Sequence, residues 1–105
     1  MPTVKVKYFG RLRELLELKD EDYELKDGAT LSDLLLDCIP ERHSQFSEDW
    51  KSEVFRRVTN KIAVNKDGTP VLRNYLVLVK GRTQELTYKL QEGDEVAVLP
   101  PAGGG

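Results

Sequence analysis

The chemistry this chain can offer is concentrated in its last six residues, Pro100-Pro101-Ala102-Gly103-Gly104-Gly105. Two prolines cannot enter a central sheet ladder, and they stiffen the exit from the strand before them. Three glycines have no side chains to pack and hold no fixed conformation by themselves. Six residues at up to about 3.5 Å each reach about 20 Å from a domain body. A glycyl end has no Cβ, so another protein can close a narrow channel around it. Its carboxylate is unreactive until an enzyme activates it: attack on ATP makes an acyl-adenylate, from which a nucleophile displaces AMP. Gly105 is therefore the candidate reacting residue. A loose domain end has a similar composition. The difference here is a strong apolar run, Val96-Ala97-Val98-Leu99, leading straight into Pro100.

The remaining inventory is thin. Cys38, His43 and Trp50 are each the only residue of their type, so no His/Cys cluster can make a zinc site, and neither metal nor cofactor is expected. Cys38 falls on an apolar helical face and reads as a small core hydrophobe. His43, in the polar stretch Glu41-Arg42-His43-Ser44, reads as exposed and inert. Sixteen basic and eighteen acidic residues leave a net charge of −2, which argues against nucleic acid as a partner. One cysteine allows no internal disulfide and fits a reducing, cytoplasmic setting. No apolar run reaches about 18 residues, and the first residues lack a signal pattern, so no membrane role is expected. The 105 residues are enough for one domain, read as a body over 1–99 with a tail over 100–105.

The elements that must position this tail follow from hydrophobic period. Val4, Val6 and Tyr8 alternate with Lys5 and Lys7, predicting a half-buried strand over 3–9, of whose last two aromatics one should be buried. Leu12, Leu15 and Leu16 predict a short helix over 11–18. Asp20-Glu21-Asp22 breaks the pattern before a short strand at 23–25. Thr30 can cap a helix by accepting from the amide of Asp33, and Leu31, Leu34, Leu35 and Cys38 continue it to Ile39, where Pro40 should stop it. Phe46, Trp50, Val54, Phe55 and Val58 predict a further helix from Ser47 to about Arg57, its aromatics packing into the core. A short strand is expected at 61–65, and another strand or a strand-like crossing at 85–90. The apolar runs 75–79 and 96–99 read as central strands, the second of them buried on both faces. Arg56-Arg57 with Lys61, and Lys80-Gly81-Arg82, read as solvated basic stretches. The order is α+β: a mixed sheet with helix packed on one face.

Three segments carry a family resemblance. They are Val4-Lys5-Val6-Lys7-Tyr8-Phe9-Gly10-Arg11-Leu12-Arg13-Glu14, Ala29-Thr30-Leu31-Ser32-Asp33-Leu34-Leu35, and Glu92-Gly93-Asp94-Glu95-Val96-Ala97-Val98-Leu99-Pro100-Pro101 with its glycines. They resemble the ubiquitin-like sulfur-carrier family, most closely the small subunit of molybdopterin synthase and the archaeal relatives that also modify proteins. Residues 41–73 carry little of the match and are longer than expected for compact members. Ala102 and Gly103 replace the family's usual Val-x before the diglycine, and Leu99 stands where many relatives carry Phe.

The resemblance implies a β-grasp fold, in which a sheet wraps one principal helix. It implies a non-catalytic carrier whose Gly105 carboxylate is adenylated by a ubiquitin-activating-type adenylyltransferase and converted to a thiocarboxylate. The tail then enters a molybdopterin synthase large subunit and donates sulfur to a pterin precursor of the molybdenum or tungsten cofactor. Gly104 and Gly103 would line the partner's channel, and Pro101, Pro100 and Leu99 would set the exit angle. Sulfur transfer for thiamine or for tRNA thiolation, and isopeptide formation with target lysines, remain open alternatives on the same activation step.

Overall fold

Strand β1 (Thr3–Tyr8) alternates as its sequence predicts, with Val4, Val6 and Tyr8 buried and Thr3 and Lys5 exposed. The computed structural model describes residues 1–100. After β1 comes helix α1 (Arg11–Leu16), which ends where Glu17 turns left-handed at φ 59°. Strand β2 (Asp20–Glu24) returns antiparallel to β1. Asp20 to Asp22 therefore lie within a strand and do not interrupt one. The register puts Asp22 opposite Lys5 and Asp20 opposite Lys7, so the two outward rows carry opposite charges.

The principal helix, α2, spans residues 31–42 in three continuous parts: α-helical Leu31–Asp33, a π-helical turn Leu34–Cys38, and α-helical Ile39–Arg42. Its start follows the sequence: Thr30 Oγ1 accepts from the Asp33 amide at 3.1 Å, and the Asp33 carboxylate accepts from the Thr30 amide at 3.0 Å. Its end does not, because Pro40 sits inside the helix and is buried. The widened turn explains why. The Ile39 amide bonds five residues back, to the Leu34 carbonyl. The next such bond would run from residue 40 to the Leu35 carbonyl, and proline has no N–H to give. The Trp50 indole Nε1–H supplies it instead, at 2.9 Å.

A 3-10 turn (Ser44–Phe46) leads into helix α3 (Ser47–Val54). This helix stops short of Arg57: Phe55 is extended and bridges to Leu72. Strands β3 (Arg57–Val58) and β4 (Lys61–Ile62) form a small separate hairpin. The strand expected over 61–65 is thus confined to two paired residues, with Val64 bridging to Pro70. Strand β5 (Leu76–Val79) turns through Lys80 and Gly81, both at positive φ, into β6 (Arg82–Thr83). Residues 85–90 form no ladder strand. They run along the start of α2, where Thr30 bridges to Lys89, the Leu86 and Tyr88 carbonyls accept from the Ser32 and Leu31 amides, and the Leu90 amide donates to the Ala29 carbonyl. Strand β7 (Glu95–Leu99) closes the chain's main sheet, whose order is β2-β1-β7-β5-β6. The β1–β7 pair is parallel and the others antiparallel, so the sheet is mixed and β7 is central.

One core holds it together. Val4, Val6, Val96 and Val98 from the sheet join Leu31, Leu34, Leu35, Trp50 and Phe55 in a single buried cluster. Tyr8 and Trp50 meet edge to face at 5.9 Å.

Candidate functional site

The site is the root of the tail, and the closing motif builds it from the turn upward. Gly93 takes φ 84°, and the buried Asp94 locks the turn: its carboxylate accepts from the Gln91 amide at 2.8 Å and from the Tyr88 hydroxyl at 2.9 Å. Burial, then the Asp94 carboxylate, raises the Tyr88 hydroxyl above its usual range. The Asp94 carbonyl accepts from Lys5 N at 3.0 Å and the Glu95 carbonyl from Lys80 N at 2.9 Å, which sets β7 between its neighbours. Val96 and Val98 then point into the core, and Leu99 pairs with Leu76 at the far end. Pro100 has no N–H, so the ladder stops there.

Leu99 and Pro100 are half-buried. Gly10, at φ 56° and ψ −128°, lies against Pro100: a Cβ built there would stand 3.2 Å from the proline Cγ. The flanking residues fix this loop. Arg13 Nε donates to the Tyr8 carbonyl at 2.7 Å, and its guanidinium lies 4.9 Å from the centre of the half-buried Phe9 ring. The aromatic-Gly-Arg segment at the start of the chain is thus the cradle of the tail root. Pro101, Gly103, Gly104 and Gly105 lie outside the described residues.

The sheet beside this root is apolar on its uncovered face. The 96–99 run, expected to be buried on both sides, is buried on one only, as is the 75–79 run beside it. Val77, Val79, Val96 and Val98 face the helices, whereas Leu78, Ala97 and Leu99 are half-buried and Leu76 is 45% exposed. Leu76 stands opposite Leu99, and Leu78 opposite Ala97, so the four form one patch. Lys7, opposite Ala97, pairs with Glu95 at 2.7 Å along its border.

Two single-copy residues are placed differently from expectation, or in more detail. His43 is neither exposed nor idle: its side chain is 14% exposed, and Nε2 lies 2.7 Å from Glu21 Oε2. That oxygen also accepts from Tyr8 at 2.6 Å and Tyr23 at 2.7 Å. Arg42 stacks 3.7 Å above the Tyr23 ring and donates to the Asp22 carbonyl at 2.6 Å. Burial pushes the Glu21 carboxyl up, but the hydrogen bonds from Tyr8, Tyr23 and His43 outweigh it and hold it below its usual range. The Tyr8 and Tyr23 hydroxyls are raised by the same burial and by this carboxylate. The cluster ties β2 to the end of α2 and has no oxygen left over for a substrate at Oε2. No local sequence signal marked it, because Glu21 lies in an acidic run and its partners are far along the chain. Cys38 is partly buried, packs on the core, and has its thiol raised first by burial and then by Asp37, Glu41 and Asp33. That is the opposite of an activated nucleophile.

A mixed sheet wrapped on one principal helix, with a central last strand leading into a Pro-Pro-glycine tail, defines a β-grasp, ubiquitin-like protein. The ThiS family model matches residues 6–105. The chain belongs to the ThiS family. It is 32% identical over 102 residues to the molybdopterin synthase sulfur carrier subunit of Chlamydomonas reinhardtii, covering 97% of this chain and 98% of that one. Among solved structures it resembles the provisionally named molybdopterin converting factor subunit 1 of Pyrococcus furiosus, at 34% identity and TM-score 0.69, covering 97% of this chain and 100% of the other. It also resembles small archaeal modifier protein 1 of Methanosarcina acetivorans, at 25% identity and TM-score 0.72, covering 100% and 98%.

Proposed function

We propose that this chain is a sulfur carrier, the small non-catalytic subunit of a molybdopterin-synthase-type complex. Residues 100–105 serve as its working tail. An adenylyltransferase of the ubiquitin-activating type joins the Gly105 carboxylate to AMP from ATP, releasing pyrophosphate. A persulfide sulfur attacks the acyl carbon, AMP leaves, and a thiol reduces the acyl disulfide to free a thiocarboxylate. The tail enters the large subunit, Gly103 and Gly104 passing through its channel, and the sulfur is given to a pterin precursor. Leu99, Pro100 and Pro101 set the angle of exit.

One observation carries this reading. The central strand delivers Leu99 and Pro100 to the sheet end beside the apolar patch of Leu76, Leu78 and Ala97. Apolar side chains grouped on an open sheet face support an interaction surface, and here they adjoin the tail root at Leu99. The family match and the named function of the Chlamydomonas relative support the chemistry.

The test is intact-mass measurement after incubation with ATP, a persulfide donor and the activating enzyme. A gain of about 16 Da, oxygen replaced by sulfur, is expected. Deleting Gly103 to Gly105, which leaves no glycyl end, should abolish it while the folded spectrum stays unchanged. No gain in the full chain would refute the carrier reading. The likeness to the archaeal modifier favours a second use, in which the activated carboxylate forms an isopeptide with target lysines. Lysine-linked ladders on a denaturing gel, lost with Gly103 to Gly105, would establish it.

A further inference from the structure

The segment that carried least of the family resemblance builds a basic cleft next to the tail root. Past α3, the chain at Phe55 and Arg56 runs beside that at Val71 to Arg73: Arg56 N donates to the Val71 carbonyl at 2.9 Å and Arg73 N to the Val54 carbonyl at 2.7 Å. Between this lip and Ser52 lies a cleft of about 630 Å³ with Phe55 and Leu72 in its lining and Arg56, Arg57 and Arg73 around it. No acidic residue lines it. Arg57 makes one exposed ion pair with Glu48 at 3.3 Å, and Arg73 donates to the Ser52 carbonyl at 3.1 Å. Arg56 has no ion-pair partner among the described residues. In a chain of net charge −2 this is a local reversal of sign.

The cleft opens on the side of the molecule that carries the tail root. A second hollow shares Arg73 and Asn74 and adds Arg11, Tyr75 and Glu53, whose carboxylate pairs with Arg11 at 3.3 Å and accepts from the Tyr75 hydroxyl at 2.7 Å, so the free positive charge lies on the cleft side. Arg11 follows Gly10, which touches Pro100, and Tyr75 precedes Leu76, which pairs with Leu99. A protein that takes up the tail is thereby brought to the side of the domain on which Arg73 and the cleft lie.

We propose that the cleft of Arg56, Arg57 and Arg73 receives an acidic segment, Asp or Glu side chains flanking an apolar residue, of the adenylyltransferase that activates the tail. This rests on the carrier reading. Guanidinium forks match carboxylates in paired hydrogen bonds. The half-buried Leu72 suits the intervening side chain and offers nothing to a bare phosphate. The arginines hold the partner in register while the tail reacts, so they govern encounter more than chemistry.

Two arms test it on the full chain. In the first, thiocarboxylation by the activating enzyme is followed with wild type, Arg56→Glu/Arg57→Glu and the milder Arg56→Gln/Arg57→Gln. The double Glu variant should raise KM about tenfold with kcat nearly unchanged, the Gln variant less, and salt should weaken wild type most. Unchanged KM in a folded variant overturns the proposal, while the +16 Da product in that same run leaves the carrier reading intact. In the second arm, amide shifts are mapped with the peptide Glu-Asp-Leu-Glu-Asp and with inorganic phosphate at equal ionic strength. Saturable shifts at 55–57 and 71–74 with the peptide alone support it, and do so even where no thiocarboxylate forms. Equal response to phosphate, or no response to the peptide, overturns it.

Discussion

Gly10→Ala separates backbone strain from the geometry of the tail root. At φ 56° and ψ −128° an alanine occupies a region that side-chain-bearing residues scarcely enter, at a cost of about 1–3 kcal/mol. With a urea slope of about 2 kcal/mol/M, a loss of about 2 kcal/mol lowers the unfolding midpoint by about 1 M. A second effect is local: the new Cβ would stand 3.2 Å from Pro100 Cγ, inside the ordinary 3.4–4 Å contact, so the proline must yield by a few tenths of an ångström. Displacing Pro100 re-aims the tail at its root, so tail activation should slow relative to the control variant. Gly28→Ala is the control. Gly28 has φ 84° and nothing within 4 Å of its would-be Cβ, so that variant carries strain without touching the tail. Urea unfolding followed by circular dichroism should show both variants destabilised. Initial rates of thiocarboxylation should fall for Gly10→Ala only. Equal rates in the two variants, or a Gly10→Ala protein as stable and as fast as wild type, would refute the reasoning.

The replacement of a missing proline N–H by an indole predicts a specific coupling. Trp50→Phe leaves the buried Leu35 carbonyl without its 2.9 Å donor, worth about 1–3 kcal/mol beyond the lost ring volume. Adding Pro40→Ala restores an N–H at the right residue and should recover about 1 kcal/mol in a double-mutant cycle, and additive losses within about 0.5 kcal/mol would sink the account. Acid should weaken the protein through Glu21. Its folded carboxyl lies below its unfolded value of 4.5, so its contribution is complete above that pH and is lost as pH falls through the folded value. Stability measured by urea between pH 7 and about pH 3 should fall more steeply in wild type than in Glu21→Gln, whereas parallel curves would exclude Glu21 as a source.

Much of the frame was legible from local pattern. The alternation of Val4, Val6 and Tyr8, the Thr30–Asp33 cap and the Gly93-Asp94 turn before Val96 and Val98 are decided by residues within a few positions of one another. The Pro-Pro-glycine tail and the strand ahead of it are likewise properties of the sequence itself. Other features were decided only when distant residues met. Pro40 continues a helix because Trp50, fifteen residues from Leu35, donates where proline cannot. His43 is drawn in by Glu21, twenty-two residues away. The 75–79 and 96–99 runs look alike on both faces in sequence, yet helices cover one face alone and leave Leu76 open beside the tail root. Periodicity and caps report what a residue does with its near neighbours. Whether a carbonyl finds a donor, a carboxylate its tyrosines or a leucine a cover depends on contacts that exist only once the chain has folded.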